Sequence, residues 1–247
     1  MRSYRSSIAV CMPLYNGEKY ILEQLISIEK SLQHFDNKAW SVYLSDDGSS
    51  DCSLDIVTQF AINRDNIYIF NGPELGVVKN IEFLLSMAKE DCIFLSDQDD
   101  VWLPDRVIGC LDLLNDFDLI LSNGYVCSGD LKKTDMLIWD ASKPNQSFFR
   151  NFLRNSYTGA CMAFNRKILR DALPFPNKYI MHDHWIALIA LSKYEVYLDS
   201  TPLILYRRHE NNVTNFGVRT GFQFRKVRDR LYLLLKIINS LLLHRNE

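Results

Sequence analysis

The sequence predicts an α/β fold, a mostly parallel central sheet with helices on both faces. Three observations predict it. Short apolar runs alternate with amphipathic stretches from residue 7 to residue 121, and turn residues close each run. Across 247 residues, 47% hydrophobic and 23% charged side chains are an ordinary globular balance with enough apolar mass for one large core. The length favours one domain with an appendage over two full domains.

Ser7 to Met12 (SIAVCM) reads as a buried strand ended by Pro13 and Asn16-Gly17. Glu18 to Leu32 has the apolar spacing of an amphipathic helix. Ser41 to Ser45 gives a second strand, Asp51 to Ile62 a second helix, and Asn66 to Phe70 a third strand closed by Asn71-Gly72-Pro73. A third helix follows over Gly76 to Met87, then a fourth strand over Cys92 to Leu95. Pro104 opens a helix reaching Leu114, and Asp118 to Leu121 makes the fifth strand. From Tyr125 to Gln146 the chain is polar and irregular, which predicts loop. Gly159 to Phe164 is then expected as a strand, His182 to Ser192 as a helix and Leu203 to Arg207 as the last strand. Phe222 to Leu243 places Val227, Leu231, Leu234, Leu235, Ile238, Leu241 and Leu242 at helical spacing.

Charge and cysteine usage narrow the function classes. Twenty-eight basic against 30 acidic side chains give a net charge of -2, which offers no electrostatic case for a nucleic-acid partner. The six cysteines stand singly, without zinc or thioredoxin-like spacing, as reduced thiols of a cytoplasmic protein do. The polar start, Met1 to Ser7, predicts no signal peptide, and no apolar stretch reaches the roughly 18 residues of a spanning helix.

Open α/β sheets bind ligands at the carboxyl ends of their strands, and the acids cluster there. The second strand ends in Asp46-Asp47-Gly48-Ser49-Ser50-Asp51 and the fourth in Ser96-Asp97-Gln98-Asp99-Asp100. Two acidic groups on neighbouring strand ends repel unless a cation or hydrogen-bond donors lie between them. Asp97-Gln98-Asp99 offers the oxygen ligands that Mg²⁺ or Mn²⁺ prefers. Asp47 has two readings: acceptor for the imide N–H of uracil, thymine or guanine, or an Asx turn entering the helix. Asp51 reads as a capping acid.

The ordered set of motifs resembles glycosyltransferase family 2. It comprises a strand followed by Pro13-Leu14-Tyr15-Asn16, then Asp46-Asp47-Gly48-Ser49-Ser50-Asp51, the DXD-type Asp97-Gln98-Asp99-Asp100, and Pro104-Asp105-Arg106. Thr158-Gly159-Ala160, His182-Asp183-His184-Trp185 and Tyr206 to Asn212 complete it. The Ser96 to Trp102 and Tyr206 to Asn212 runs look most like bacterial rhamnosyltransferases of polysaccharide synthesis. The resemblance implies one GT-A, Rossmann-like domain over residues 7–213, followed by a basic amphipathic helical tail over 214–247. It implies a metal-dependent inverting transfer, with Mn²⁺ or Mg²⁺, from a dTDP- or UDP-sugar, rhamnose foremost, to a saccharide acceptor, including a lipid-linked one.

Residue by residue, the resemblance gives Asp47, Pro13 and Tyr15 to the nucleotide base and Asp97 to the ribose and metal. Asp99 would ligate the ion, with His209 near the metal or diphosphate, and Asp183 would be the general base. Thr158, Gly159 and Trp185 are candidates for the acceptor side. Each has a plainer reading: a first-turn helix charge for Asp183, a loop histidine for His209, a turn for Thr158-Gly159 and a packing aromatic for Trp185. The tail has three: membrane surface, its own domain or another subunit. Two other classes stay open on the acids alone, a Mg²⁺-dependent phosphoryl or nucleotidyl transferase and a receiver-like binding module.

Overall fold

The computed structural model describes residues 6–176, 180–209 and 224–243. In chain order the elements are β1 (Ile8–Leu14), α1 (Ile21–Leu32), β2 (Trp40–Asp46), α2 (Ser53–Ala61), β3 (Ile67–Asn71) and α3 (Val77–Met87). There follow β4 (Cys92–Leu95), β5 (Val101–Trp102), α4 (Arg106–Leu114), β6 (Leu119–Cys127), β7 (Lys133–Leu137), α5 (Ile138–Ser142) and α6 (Phe148–Leu153). The chain closes with β8 (Met162–Asn165), α7 (Lys167–Ala172), α8 (His182–Lys193), β9 (Val196–Arg207) and α9 (Phe224–Leu243).

The strands form one sheet in the order β3-β2-β1-β4-β8-β6-β9-β5, with β7 alongside β6. β3, β2, β1 and β4 run parallel; β8 enters antiparallel to both β4 and β6, and β9 returns parallel to β6. β1 lies between β2 and β4 with helices above and below. That is why Ile8 to Met12 is apolar without alternation and fully buried. The chain winds outward through β1, β2 and β3, then crosses back to β4 on the far side of β1. Right-handed crossovers put α1 and α2 on one face and α3 on the other. α1 accordingly packs on α2 and α4, whereas α3 meets α8. The crevice of this reversal opens at the carboxyl ends of β1 and β4.

The stretch expected as loop after Asn123 holds more structure than its sequence pattern announces. β6 continues to Cys127 because β9 pairs with it as far as Cys127↔Arg207. β7 is exposed along almost its whole length, so it has no alternation to read. α5, α6 and α7 span only five or six residues, too few for a helical period to declare itself. The tail helix α9 packs on α7 and α8 through Leu233 and Ile237. The expected boundary at Val213, the Glu210 to Asn212 part of the last motif, and His244 and Arg245 lie outside the described residues. Among the described residues no helix is long and apolar enough to cross a membrane.

Candidate active site

Three strand ends build the floor of the site. The register sets Pro13 beside Ser45 and Leu14 beside Asp46, while Cys11 lies beside Leu95, so the loops after β1, β2 and β4 meet at one edge. The two acidic clusters are not direct neighbours, since β1 stands between them.

Most of the Asp46 to Ser53 motif stitches this edge together. Asp46 accepts from the Ser49 N–H (3.0 Å) and hydroxyl. Ser49 Oγ accepts from Asn16 N–H at 2.9 Å and Asn16 Oδ1 from Ser50 N–H at 2.8 Å. Asp51 accepts from Glu18 N–H (3.0 Å) and Ser53 N–H (2.9 Å). Burial works against ionisation of Asp51, but these hydrogen bonds hold its carboxyl below the usual range. Asp47 is spared for the cleft. Its Oδ1 accepts from Glu74 N–H (2.7 Å) and its Oδ2 from Gly76 N–H (2.8 Å), which fixes the carboxylate against the loop after β3. Each oxygen keeps a second lone pair for a ligand.

The acids after β4 are held by residues outside the ten candidates of the sequence, among them Arg207, which the sequence leaves open, with Arg208, to a phosphate role. Gln24, buried on α1, donates to Ser96 Oγ (2.7 Å) and to the Asp97 carbonyl (3.1 Å). Gln98 accepts from Tyr15 N–H and donates to the Tyr15 carbonyl, both at 2.9 Å. A Cβ at Gly17 would lie 2.6 Å from Gln98 Oε1, so glycine makes room for this clasp. Arg207 donates through Nε to the Asp99 carbonyl (2.8 Å), through Nη1 to the Gly129 carbonyl (2.6 Å) and through Nη2 to Glu23 (2.6 Å). Arg207 is therefore a buried brace of the acidic loop, and Arg208 is exposed. The only sequence signal for Gln24 and Arg207 is polar identity at positions that a helix or strand pattern buries, while Gln98 is marked only by its place in the turn between the acids.

Asp97, Asp99 and Asp100 place one ligand oxygen each within 4.8 Å of one another. Burial first, then Asp99 and Asp183, push the Asp97 carboxyl up to about 7, against the pull of Arg106. Burial and the charges of Asp99 and Asp97 raise Asp100 well above the carboxylate range. Asp100 Oδ1 accepts from Arg207 N–H at 3.0 Å, whereas its buried Oδ2 has no hydrogen-bond partner. Arg106 lies fully buried nearby, donating to the Ala160 carbonyl (2.6 Å) and stacked 4.5 Å from the Trp102 ring. Crowded carboxylates, an orphaned oxygen and a hard donor set are what a divalent cation such as Mn²⁺ or Mg²⁺ fits. His209 joins Asp99 through Nε2 to Oδ2 at 2.8 Å and stacks on Tyr20, so it reaches the edge of the acidic triad.

This electrostatic strain gives a pH signature. A carboxyl raised in the folded state stabilises the fold below its unfolded value of 3.8 and loses that contribution as pH rises through about 7. Metal-free protein is expected to melt at progressively lower temperature across that window, and Mn²⁺ is expected to reverse the loss above it. Asp51, held low, acts only as pH falls below 3.8, so it does not mask the effect. The buried imidazoles of His182 and His184, whose pKa values burial lowers, act in the opposite direction below their ordinary value of 6.5. The effect is therefore read above it: calorimetry showing a flat melting temperature from about pH 6.5 to 8 without metal would count against the strained triad.

The opposite wall comes from α8 and the turn before β8. Asp183 is in the first turn of α8, with Oδ1 accepting from His184 N–H at 2.6 Å. His184 is anchored by Nε2 to the Asn151 carbonyl at 2.7 Å. His182, buried beside it, has an unpartnered Nδ1, and burial lowers its pKa. A Cβ on Gly159 would sit 2.8 Å from His182 Nε2, so the close approach that glycine permits there is that of the imidazole. The cleft between the walls has a volume of about 990 Å³. It collects nine of the ten residues singled out in the sequence: Pro13, Tyr15, Asp47, Asp97, Asp99, Thr158, Gly159, Asp183 and His209.

Trp185 is the exception, and its assignment to the acceptor is corrected. It faces the core at 2% exposure and donates through Nε1 to the Ala172 carbonyl at 2.7 Å, because two residues after Asp183 a helix has turned to its inner face. Trp185→Ala is expected to cost about 3–5 kcal/mol in denaturant unfolding. Its acceptor KM should stay unchanged in the folded fraction; a raised KM at unchanged stability would restore Trp185 to the site.

A family model described as Glycosyl transferase family 2 matches residues 9–173, the greater part of the chain. The dTDP-rhamnosyl transferase RfbG of Shigella flexneri is 29% identical over 254 residues, covering 93% of this chain and 84% of that protein. Among solved structures, S. aureus TarS 1-349 in complex with UDP-GlcNAc superposes with a TM-score of 0.68 at 18% identity over 94% of this chain. The chain spans 67% of the TarS chain in that complex and 60% in another TarS 1-349 crystal structure. The mannosyltransferase PcManGT from Pyrobaculum calidifontis, in complex with GDP-Man and Mn²⁺, gives a TM-score of 0.60 at 17% identity, over 97% of this chain and 74% of that one. These structural likenesses establish a GT-A fold, and with the matched family model the chain belongs to glycosyltransferase family 2, a sugar-transferring enzyme.

Proposed function

We propose that the protein is a metal-dependent inverting glycosyltransferase that moves a deoxyhexose, rhamnose foremost, from a dTDP- or UDP-sugar to a hydroxyl of a saccharide acceptor. The pathway served would be bacterial surface polysaccharide synthesis, on the cytoplasmic side, where the six free cysteines persist. The observation that carries the reading is the meeting in one cleft of a fixed carboxylate at Asp47, the Asp97 and Asp99 members of an acidic triad and a helix-borne carboxylate at Asp183.

In this scheme Asp47 accepts the imide N–H of the base, and Pro13 and Tyr15 border the same pocket. Asp97, Asp99 and Asp100 would hold Mn²⁺ or Mg²⁺, which when bound supplies positive charge to the diphosphate of the donor. His209 contributes at the diphosphate edge through its bond to Asp99. Asp183, on the wall formed by Thr158 and Gly159, removes the proton of the acceptor hydroxyl as its oxygen attacks the anomeric carbon. Attack from that wall, opposite the departing nucleoside diphosphate, inverts the configuration.

A panel of dTDP-, UDP- and GDP-sugars, tested with and without Mn²⁺, checks the donor. The expected outcome is metal-dependent thermal stabilisation and slow hydrolysis with dTDP-rhamnose above the others. Stabilisation by none of them, or a product of retained configuration, would overturn the reading.

A further inference from the structure

Between Arg230 and Ser240, α9 buries one apolar stripe and leaves another bare. Leu233 and Ile237 turn inward, and the Ser240 hydroxyl donates to the Asp171 carbonyl on the same side. On the other side Leu231, Leu234, Leu235 and Ile238 are exposed by 58%, 37%, 55% and 44%. The spacing 231, 235, 238 is one line along a helix, so these residues form a second, bare stripe. A helix apolar on two sides needs two partners, and among the described residues its own domain supplies one.

The neighbouring helix extends the bare surface. α6 exposes Phe149 by 77% and Leu153 by 59%, one turn apart on one side. The two helices touch where Arg230 Nη2 donates to the Leu153 carbonyl at 2.8 Å. Exposed Arg150, Arg154 and Lys236 border these apolar side chains. Along α9 the sequence carries Arg225, Lys226, Arg228, Arg230 and Lys236 against the single acid Asp229, and the α6 segment has no acid.

We propose that α6 and α9 together form the surface by which this enzyme docks on an anionic lipid bilayer. Apolar side chains between cations enter such an interface with both terms favourable, hydrocarbon burial and attraction to anionic headgroups. A second copy of the chain on the same surface would set one group of cations against another. Docking here also orients the site. Asn151, on α6, holds His184 of α8, so the docked helix is tied to the turn that carries Asp183. A lipid-linked saccharide would thereby be offered to the acceptor wall. That last step rests on the proposed role of Asp183; the docking itself does not.

The test is sedimentation of the full chain with vesicles of phosphatidylcholine alone and of phosphatidylcholine mixed with phosphatidylglycerol. Binding is expected only to the mixed vesicles and is expected to weaken as salt is raised. Leu231→Glu with Leu235→Glu, and separately Phe149→Glu with Leu153→Glu, should each weaken it by about tenfold or more. Melting temperature and hydrolysis of the soluble donor should stay unchanged in both, which separates failure of docking from failure of the enzymatic reading. Wild-type protein left in the supernatant with mixed vesicles would overturn the proposal. So would an insensitive α6 pair, or a dimer in solution that the same substitutions dissolve.

Discussion

Asp183→Asn is expected to lower the rate of sugar transfer by about 10²–10⁴ while the protein stays folded and binds its donor as before. The substitution keeps the shape of the side chain and leaves Oδ1 able to accept from His184 N–H, the bond that sets its rotamer. What it removes is a group that can take a proton on the α8 wall of the cleft. The reduction should therefore fall on kcat with the donor KM little changed, and donor-induced thermal stabilisation should survive. Full transfer by a folded Asp183→Asn protein would remove Asp183 from the chemistry and leave it as a first-turn helix charge.

Asp99→Asn should produce two effects of opposite sign. Transfer is expected to fall by about 10²–10³, because one of three carboxylates that would hold the cation is gone, along with the rise in melting temperature on adding Mn²⁺. Without metal, the variant should melt higher than the wild type above neutral pH. Asp99 is a source of the repulsion that pushes up both Asp97 and Asp100, and the amide relieves it while keeping a partner for His209. Each 1 kcal/mol of relief corresponds to about 2–4 °C for a domain of this size. If Mn²⁺ stabilised the variant as it does the wild type, the triad would not be the cation site.

Much of this is legible in the sequence, for a physical reason specific to the first half of the chain. Strands β1, β2 and β4 are central or nearly so and are coated by helices, so their sequences are apolar runs bounded by turn residues. Cys92 to Leu95 could be delimited to the residue. The acidic edge was legible because parallel strands deliver their carboxyl ends to one side, and acids there must either be paired or bind something. The phosphoryl-transfer and receiver-like alternatives drew on the same acids, and the family match displaces them.

What remained illegible depended on partners distant in sequence. Nothing local distinguishes Trp185, which faces the core, from Asp183, which faces the cleft; the phase of α8 against α7 and the sheet decides it. Gln24, Gln98 and Arg207 are ordinary polar residues until the fold brings them to Ser96, Tyr15 and Glu23, 72, 83 and 184 positions away. The spacing of the tail announced an amphipathic helix, but only docking on α7 and α8 showed that Leu233 and Ile237 are buried while Leu231, Leu234, Leu235 and Ile238 are bare. The sequence by itself determined the order of strands and helices, the clustering of acids at the strand ends and the family, because these follow from local pattern and chain order. The tertiary structure alone decided which acids share a cation-sized space, what braces them and which side chains face the cleft, because those are matters of packing between segments that the chain does not place next to each other.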